Sequence, residues 1–161
     1  MEDTVLEEFV EEIEEILQEL EEGVLLLEDQ PKKRSLIDQL FRNMHTIKGG
    51  AGMVQQKEMA EYAHHFENLL DKARSGEIVC TPEMATLLLD SLDGYKSFLD
   101  NIRGSRELNQ QLIDEAINSV KKHNLKRTYV LCPGRGNQGP WAGMGNISQK
   151  LNIPGYGIST S

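Results

Sequence analysis

The stretch Phe41-Arg-Asn-Met-His-Thr-Ile-Lys-Gly-Gly-Ala-Gly52 combines a helical pattern with residues that weaken a helix. At about 100° per residue, Ile37, Leu40, Phe41, Met44, Ile47 and Ala51 fall on one apolar stripe, as in a helix with one buried face. By the same periodicity His45 lies roughly 110° from the centre of that stripe. That is a rim position, neither buried nor fully outward. Lys48 follows at i+3, and Gly49, Gly50 and Gly52 follow at i+4, i+5 and i+7, so the lysine and two of the glycines border the histidine's face. Each glycine should weaken the helix by ~1 kcal/mol relative to alanine. A local weakness with no packing gain points to clearance around His45.

The same periodicity extends in both directions. Val5, Leu6, Phe9, Val10, Ile13, Ile16, Leu17, Leu20 and Val24 predict a first helix over 4–27, with glutamates on its other face and Gly23 as a weak point. Asp29-Gln30-Pro31 breaks the chain. The second helix is expected from about Lys33 to about Ala51, with Ser35 a candidate cap for a later start and the glycines closing or fraying its end. Lys57 to Arg74 is a third helix, with Met59, Tyr62, Ala63, Phe66, Leu69, Leu70 and Ala73 as its stripe. Ala60, His64, Glu67 and Asp71 lie along a flank of that stripe, and Ser75-Gly76 stops the helix. Thr81-Pro82-Glu83 is a strong start for a fourth helix: a capping threonine, proline in the first turn and an acid beside the helix N-terminus. It carries Leu87, Leu88, Leu92, Tyr95, Phe98, Leu99 and Ile102 and stops at Gly104. A fifth helix is expected from Ser105 to about His123-Asn124. No segment up to residue 124 has strand alternation, and the connections are short. The predicted fold is all-α: an antiparallel four-helix bundle over residues 1–124 with the fifth helix packed alongside.

A chain of 161 residues suits one domain with an appendage. Residues 1–120 hold all 26 acids against 11 Lys and Arg, a balance of −15, whereas 121–161 hold 6 Lys and Arg and no acid. The overall −9 argues against a nucleic-acid partner. Glu2, Asp3, Glu7 and Glu8 do not make a signal peptide, and the longest apolar run, Val24 to Leu27, cannot span a membrane. Cys80 and Cys132 form no metal or disulfide framework. A cytoplasmic protein without membrane insertion is expected. Residues 125–161 are a basic Gly/Pro-rich tail or linker, with Thr128–Cys132 a candidate strand. Gly134-Arg-Gly136-Asn-Gln-Gly139 matches a nucleotide-loop pattern only formally, because no helical pattern and no acid follow it.

Taken from its neighbours alone, His45 has four possible roles: core-edge residue, metal ligand, general base or phosphoryl acceptor. Lys48, one turn on, can set a cation beside an anion on the ring. Glu67 is the candidate carboxylate to fix the imidazole tautomer, with His64 as a second hydrogen-bonding partner. His45, His64, His65 and Glu67 would supply metal donors. However, His64 and Glu67 lack a second such pair, and His64 and His65 point about 100° apart. No serine or cysteine stands in a hydrolytic arrangement. A non-catalytic helical interaction module, docking through its acidic first helix, is the reading from another class.

His45-Thr-Ile-Lys-Gly-Gly-Ala-Gly52 resembles the H-[ST]-[IL]-K-G-x-[AS] signature of histidine phosphotransfer (HPt) domains. It is most similar to the N-terminal phosphotransfer domain of chemotaxis-type histidine kinases, the CheA family. His64-His-Phe-Glu-Asn-Leu-Leu-Asp-Lys-Ala-Arg-Ser-Gly76 resembles that family's H-x-x-E-x-[IL]-L-D-x-x-R-x-G. The resemblance covers roughly residues 4–120. It implies that His45 is phosphorylated, that Lys48 assists, that Glu67 hydrogen-bonds the His45 ring with His64 beside it, and that Gly49 and Gly52 allow close approach of a partner. It also implies two partners, a histidine kinase catalytic domain and a response-regulator receiver domain. ATP and Mg²⁺ would belong to those partners, with no cofactor in this chain and no turnover by it alone.

Overall fold

The computed structural model of the chain describes residues 2–125. Five helices follow one another: α1 (Glu2–Asp29), α2 (Arg34–Met53), α3 (Lys57–Arg74), α4 (Pro82–Ile102) and α5 (Gln110–Leu125). Among the described residues there is no strand. Short connections make consecutive helices antiparallel. α1 packs on α2 and α4, α3 packs on α2 and α4, and α5 lies along α3 and α4. The predicted bundle with its fifth helix is therefore the observed one. The candidate strand and glycine loop of the tail lie outside the described residues.

The stripes read from the sequence form the core. Phe9, Val10, Ile13, Leu17, Leu20, Val24 and Leu27 of α1 meet Leu36, Ile37, Leu40, Met44, Ile47 and Ala51 of α2. Val5 is exposed, so the apolar face of α1 begins before the buried part of the seam. The centre is aromatic. Tyr62 packs edge-on against Tyr95 with ring centroids 4.8 Å apart and donates its hydroxyl to the Ser91 carbonyl at 3.0 Å. Tyr95 donates to the Met44 thioether at 3.2 Å. Each buried hydroxyl thus has a partner, as burial requires. A Cβ on Gly94 would collide with the Tyr62 hydroxyl, so this glycine admits the ring between α3 and α4.

Four local expectations need correcting. Gly23 is not a weak point: a Cβ there would stand 2.7 Å from Leu40 Cδ2, so the glycine lets α1 and α2 approach closely. Ser35 does not cap α2, which starts at Arg34 behind Lys33 with no side-chain cap. The glycines Gly49, Gly50 and Gly52 do not end α2 either. The helix runs through them to Met53 and closes at Gln55, whose φ of 62° lets Gln55 N bond Gly52 O at 3.2 Å and Gln56 N bond Ala51 O at 2.8 Å. α3 and α4 close in the same way at Gly76 and Gly104. Finally, α5 begins at Gln110, not Ser105. The Asn109 side chain accepts from the Leu112 amide at 3.1 Å, and the Asn109 amide donates to Ser97 Oγ at 2.9 Å, so the cap fixes the start and 103–109 stays a connection. Thr81 caps α4 as expected, accepting from Met84 N at 3.2 Å.

Candidate functional site

The close seam between α2 and α3 carries the site. α2 buries its stripe against the bundle and leaves His45 on its outer side. The His45 side chain is 62% exposed, further out than a rim position. Glu67 stands at the edge of the α3 stripe, between buried Phe66 and Leu70, and its side chain is only 11% exposed. His45 Nδ1 lies 3.0 Å from Glu67 Oε2. Lys48 Nζ donates to Glu67 Oε1 at 2.8 Å. Both oxygens of a nearly buried carboxylate are thus engaged by the histidine and lysine of the facing helix.

The electrostatics follow from this geometry. Burial alone would push the Glu67 carboxyl up, but the bonds from Lys48 and His45 outweigh it and hold the group below its ordinary value of 4.5. At neutral pH Glu67 is therefore an anion, which can only accept hydrogen bonds. For the 3.0 Å bond to exist, His45 Nδ1 must carry the hydrogen. In the neutral ring the other nitrogen, Nε2, then holds the lone pair. The buried carboxylate thus sets the tautomer of the exposed ring.

The residues singled out in the sequence are only partly brought together. His45, Lys48 and Glu67 meet. Lys48, expected to set a cation beside an anion on His45, bonds the carboxylate that orients His45. His64 is exposed one turn before Glu67, and no hydrogen bond of the described residues joins it to His45. His65 packs partly buried towards α5, where burial, with Lys121 and His64 nearby, pushes its imidazole below the usual range. Gly49 and Gly52 face open space: a Cβ on either would meet nothing within 4 Å. Gly50, given no role from the sequence, is the packed glycine: a Cβ there would lie 3.1 Å from Phe9 Cε2. Among the described residues no group of three or more His, Cys, Asp or Glu side chains is placed to hold a metal ion. No described helix is long and apolar enough to cross a membrane.

Sequence reasoning misses a second layer around the ring. Periodicity places Phe41 on the stripe and says nothing more of it. In the structure it is half-buried and stacks with His45 at 6.1 Å between centroids and 15° between planes. The Arg74 guanidinium sits 3.9 Å from the centre of the Phe41 ring and donates to Asp71 at 2.8 Å. The i, i+3 spacing of Asp71 and Arg74 is a readable signal for that ion pair, but nothing in the sequence shows that its cation reaches α2.

Comparison with known proteins agrees with this arrangement. The Hpt domain family matches residues 4–118. The chemotaxis protein CheA of Treponema pallidum is 37% identical over 100 residues, which cover 62% of this chain and 12% of that protein. The chain thus corresponds to a small part of the curated relatives it matches. The CheA phosphotransferase domain from Thermotoga maritima superposes with a TM-score of 0.60 at 38% identity, covering 62% of this chain and 95% of that domain. The phosphorylated P1 domain of CheA3 from R. sphaeroides, crystallised in complex with CheY6, shares the fold with a TM-score of 0.69 at 18% identity, over 76% of this chain and 96% of that one. The chain belongs to the Hpt domain family.

Proposed function

We propose that this domain carries phosphoryl groups on His45 in chemotaxis-type two-component signalling, between a histidine kinase catalytic domain and a response-regulator receiver domain. One observation carries the reading: an exposed imidazole whose Nδ1 is bonded to a buried, lysine-anchored carboxylate. That arrangement leaves Nε2 as the nucleophile. In the forward step Nε2 attacks the γ-phosphorus of ATP held by the kinase domain. The N–P bond forms as the bond to the β-phosphate oxygen breaks, and ADP leaves. Positive charge develops on the ring, and Glu67, across Nδ1, stabilises it. In the second step a receiver aspartate attacks the same phosphorus, the N–P bond breaks and its electron pair returns to Nε2. ATP and Mg²⁺ belong to the partners, whose metal neutralises the phosphate charge. The dependence on ATP favours a cytoplasmic setting. The crystallised complex of the R. sphaeroides domain with CheY6 supports a receiver as one partner.

The test is direct. The chain is incubated with the kinase core of a CheA protein and γ-labelled ATP, then with a receiver domain. Acid-labile, base-stable label on the wild type, absent from His45→Gln and lost on adding the receiver, is expected. No label on the wild type, or equal label on His45→Gln, rejects the assignment.

A further inference from the structure

An imidazole that is 62% exposed and held by one hydrogen bond is not yet fixed. The bond selects the tautomer but lets the ring swing about its Nδ1 contact, and each swing re-aims Nε2. Something must restrain the plane of the ring if Nε2 is to meet phosphorus in line. The described residues offer one such surface. Phe41, one turn before His45 on α2, lies nearly parallel to the imidazole, with planes 15° apart and centroids 6.1 Å apart. Phe41 is itself held from α3: Arg74 lies 3.9 Å from its ring centre, and Asp71 fixes that guanidinium through a 2.8 Å bond. Arg74 is partly exposed, with 39% of its side chain open to solvent.

We infer that Phe41 and Arg74 are positioning residues for the phosphoryl-accepting ring: Arg74, braced by Asp71, pins Phe41, and Phe41 holds the plane of His45 while Glu67 holds its tautomer. This rests on His45 being the acceptor. Division of labour is its core. Glu67 acts along the Nδ1 axis and sets which nitrogen is nucleophilic. Phe41 acts across the ring face and sets where that nitrogen points. α3 supplies one restraint directly, through the Glu67 carboxylate, and supports the other, Phe41 of α2, through the Arg74 guanidinium. α3 thereby orients a side chain that belongs to α2. Arg74 is also distinct from Lys48 in its target: Lys48 binds the carboxylate, whereas Arg74 binds the aromatic ring.

The experiment uses two readouts on Phe41→Leu, which keeps an apolar side chain on the stripe, and on Arg74→Gln, which removes the cation from a partly exposed position. Side-chain couplings and ¹⁵N shifts of His45, measured without any partner, report rotamer and tautomer. A single rotamer with hydrogen on Nδ1 is expected in the wild type. Rotamer averaging with the tautomer unchanged is expected in both variants. Labelling by a CheA kinase core, at varied concentrations of the chain, should show kcat reduced about three- to tenfold with KM unchanged, the factor that loss of one aromatic pair corresponds to. Arg74→Lys should keep part of the rate that Arg74→Gln loses, since it leaves a cation over the ring. A wild-type ring that already averages its rotamers overturns the inference. So does an unchanged kcat in both variants, or a loss confined to KM, which would make the pair a docking contact. A wild type that takes no label would reject the acceptor reading instead, and the rotamer measurement would still decide whether Phe41 orders the ring.

Discussion

Glu67 is bonded on both oxygens and nearly buried, so its charge cannot be removed without disturbing two partners. In Glu67→Gln the charge is lost, and one of the two accepting oxygens becomes an amide NH2 that faces a donor, so at most one of the two bonds survives. That loss of about 1–2 kcal/mol predicts phosphorylation of His45 slowed roughly 5- to 30-fold, with helix content unchanged by circular dichroism. Unaltered transfer kinetics would take Glu67 out of the mechanism. Lys48 permits a sharper test. It contacts Glu67 Oε1 at 2.8 Å, so it should act through that carboxylate. The double variant Lys48→Ala/Glu67→Gln should then be no slower than Glu67→Gln alone, because the two losses share one route. If the losses multiply, Lys48 has a separate contact with the phosphoryl group.

At the scale of the helix, adjacent glycines of α2 serve different ends, although the letters are identical. Gly50 packs 3.1 Å from Phe9 by its would-be Cβ, whereas Gly49 meets nothing within 4 Å. Gly49→Ala should therefore stabilise the bundle by up to ~1 kcal/mol through helix propensity. Gly50→Ala should gain less, or lose, because Phe9 must give way. If the open side of Gly49 receives a partner's active site, Gly49→Ala will melt higher yet accept label more slowly. A higher melting point with full labelling would leave that glycine without a docking role. The contrast also shows how much can be read before the fold is known. The stripe Ile37, Leu40, Phe41, Met44, Ile47 and Ala51 is legible because a 3.6-residue period is a local property, and all but the half-buried Phe41 are buried. Glu67 is legible as a flank residue of α3 for the same reason. Gly23 and Gly94 are not, since a glycine that weakens a helix and one that admits Leu40 or Tyr62 look alike until the neighbour is known. The same holds for Phe41, whose partner Arg74 is distant in sequence, and for Lys48, whose reach to α3 is not encoded in its spacing from His45. The start of α5 is misread for another reason: Ser105 and Asn109 are both good caps, and the Ser97 hydroxyl that selects Asn109 belongs to α4.

Across the whole molecule, ion pairs straddle two seams, and they should respond differently to acid and salt. Glu67 with Lys48 and His45 joins α2 to α3. Glu14 with Arg103 joins α1 to the end of α4, through bonds to both carboxylate oxygens on an exposed surface. The Arg103 bond holds the Glu14 carboxyl below 4.5. A carboxyl lowered by folding takes up its proton at higher pH in the unfolded chain than in the folded one. The unfolded state then binds more protons in that window, so stability rises with pH there. The contribution of Glu67 should be fully present above 4.5 and be lost as pH falls through its lower folded value. The net negative charge of the bundle works in the opposite sense, because its self-repulsion falls in acid. The raw stability curve mixes the two, but a difference curve separates them. Urea unfolding of wild type and Glu67→Gln between about pH 7 and 3 should give a gap that is constant down to about pH 4.5 and then narrows. A gap that stays constant throughout would mean that the substitution acts by packing alone. The gap for Glu14→Gln should be smaller and should close in about 1 M salt, where the screening length is only ~3 Å and an exposed pair is largely quenched. The Glu67 gap should survive that salt, because its carboxylate lies between two helices with little solvent to carry the screening ions.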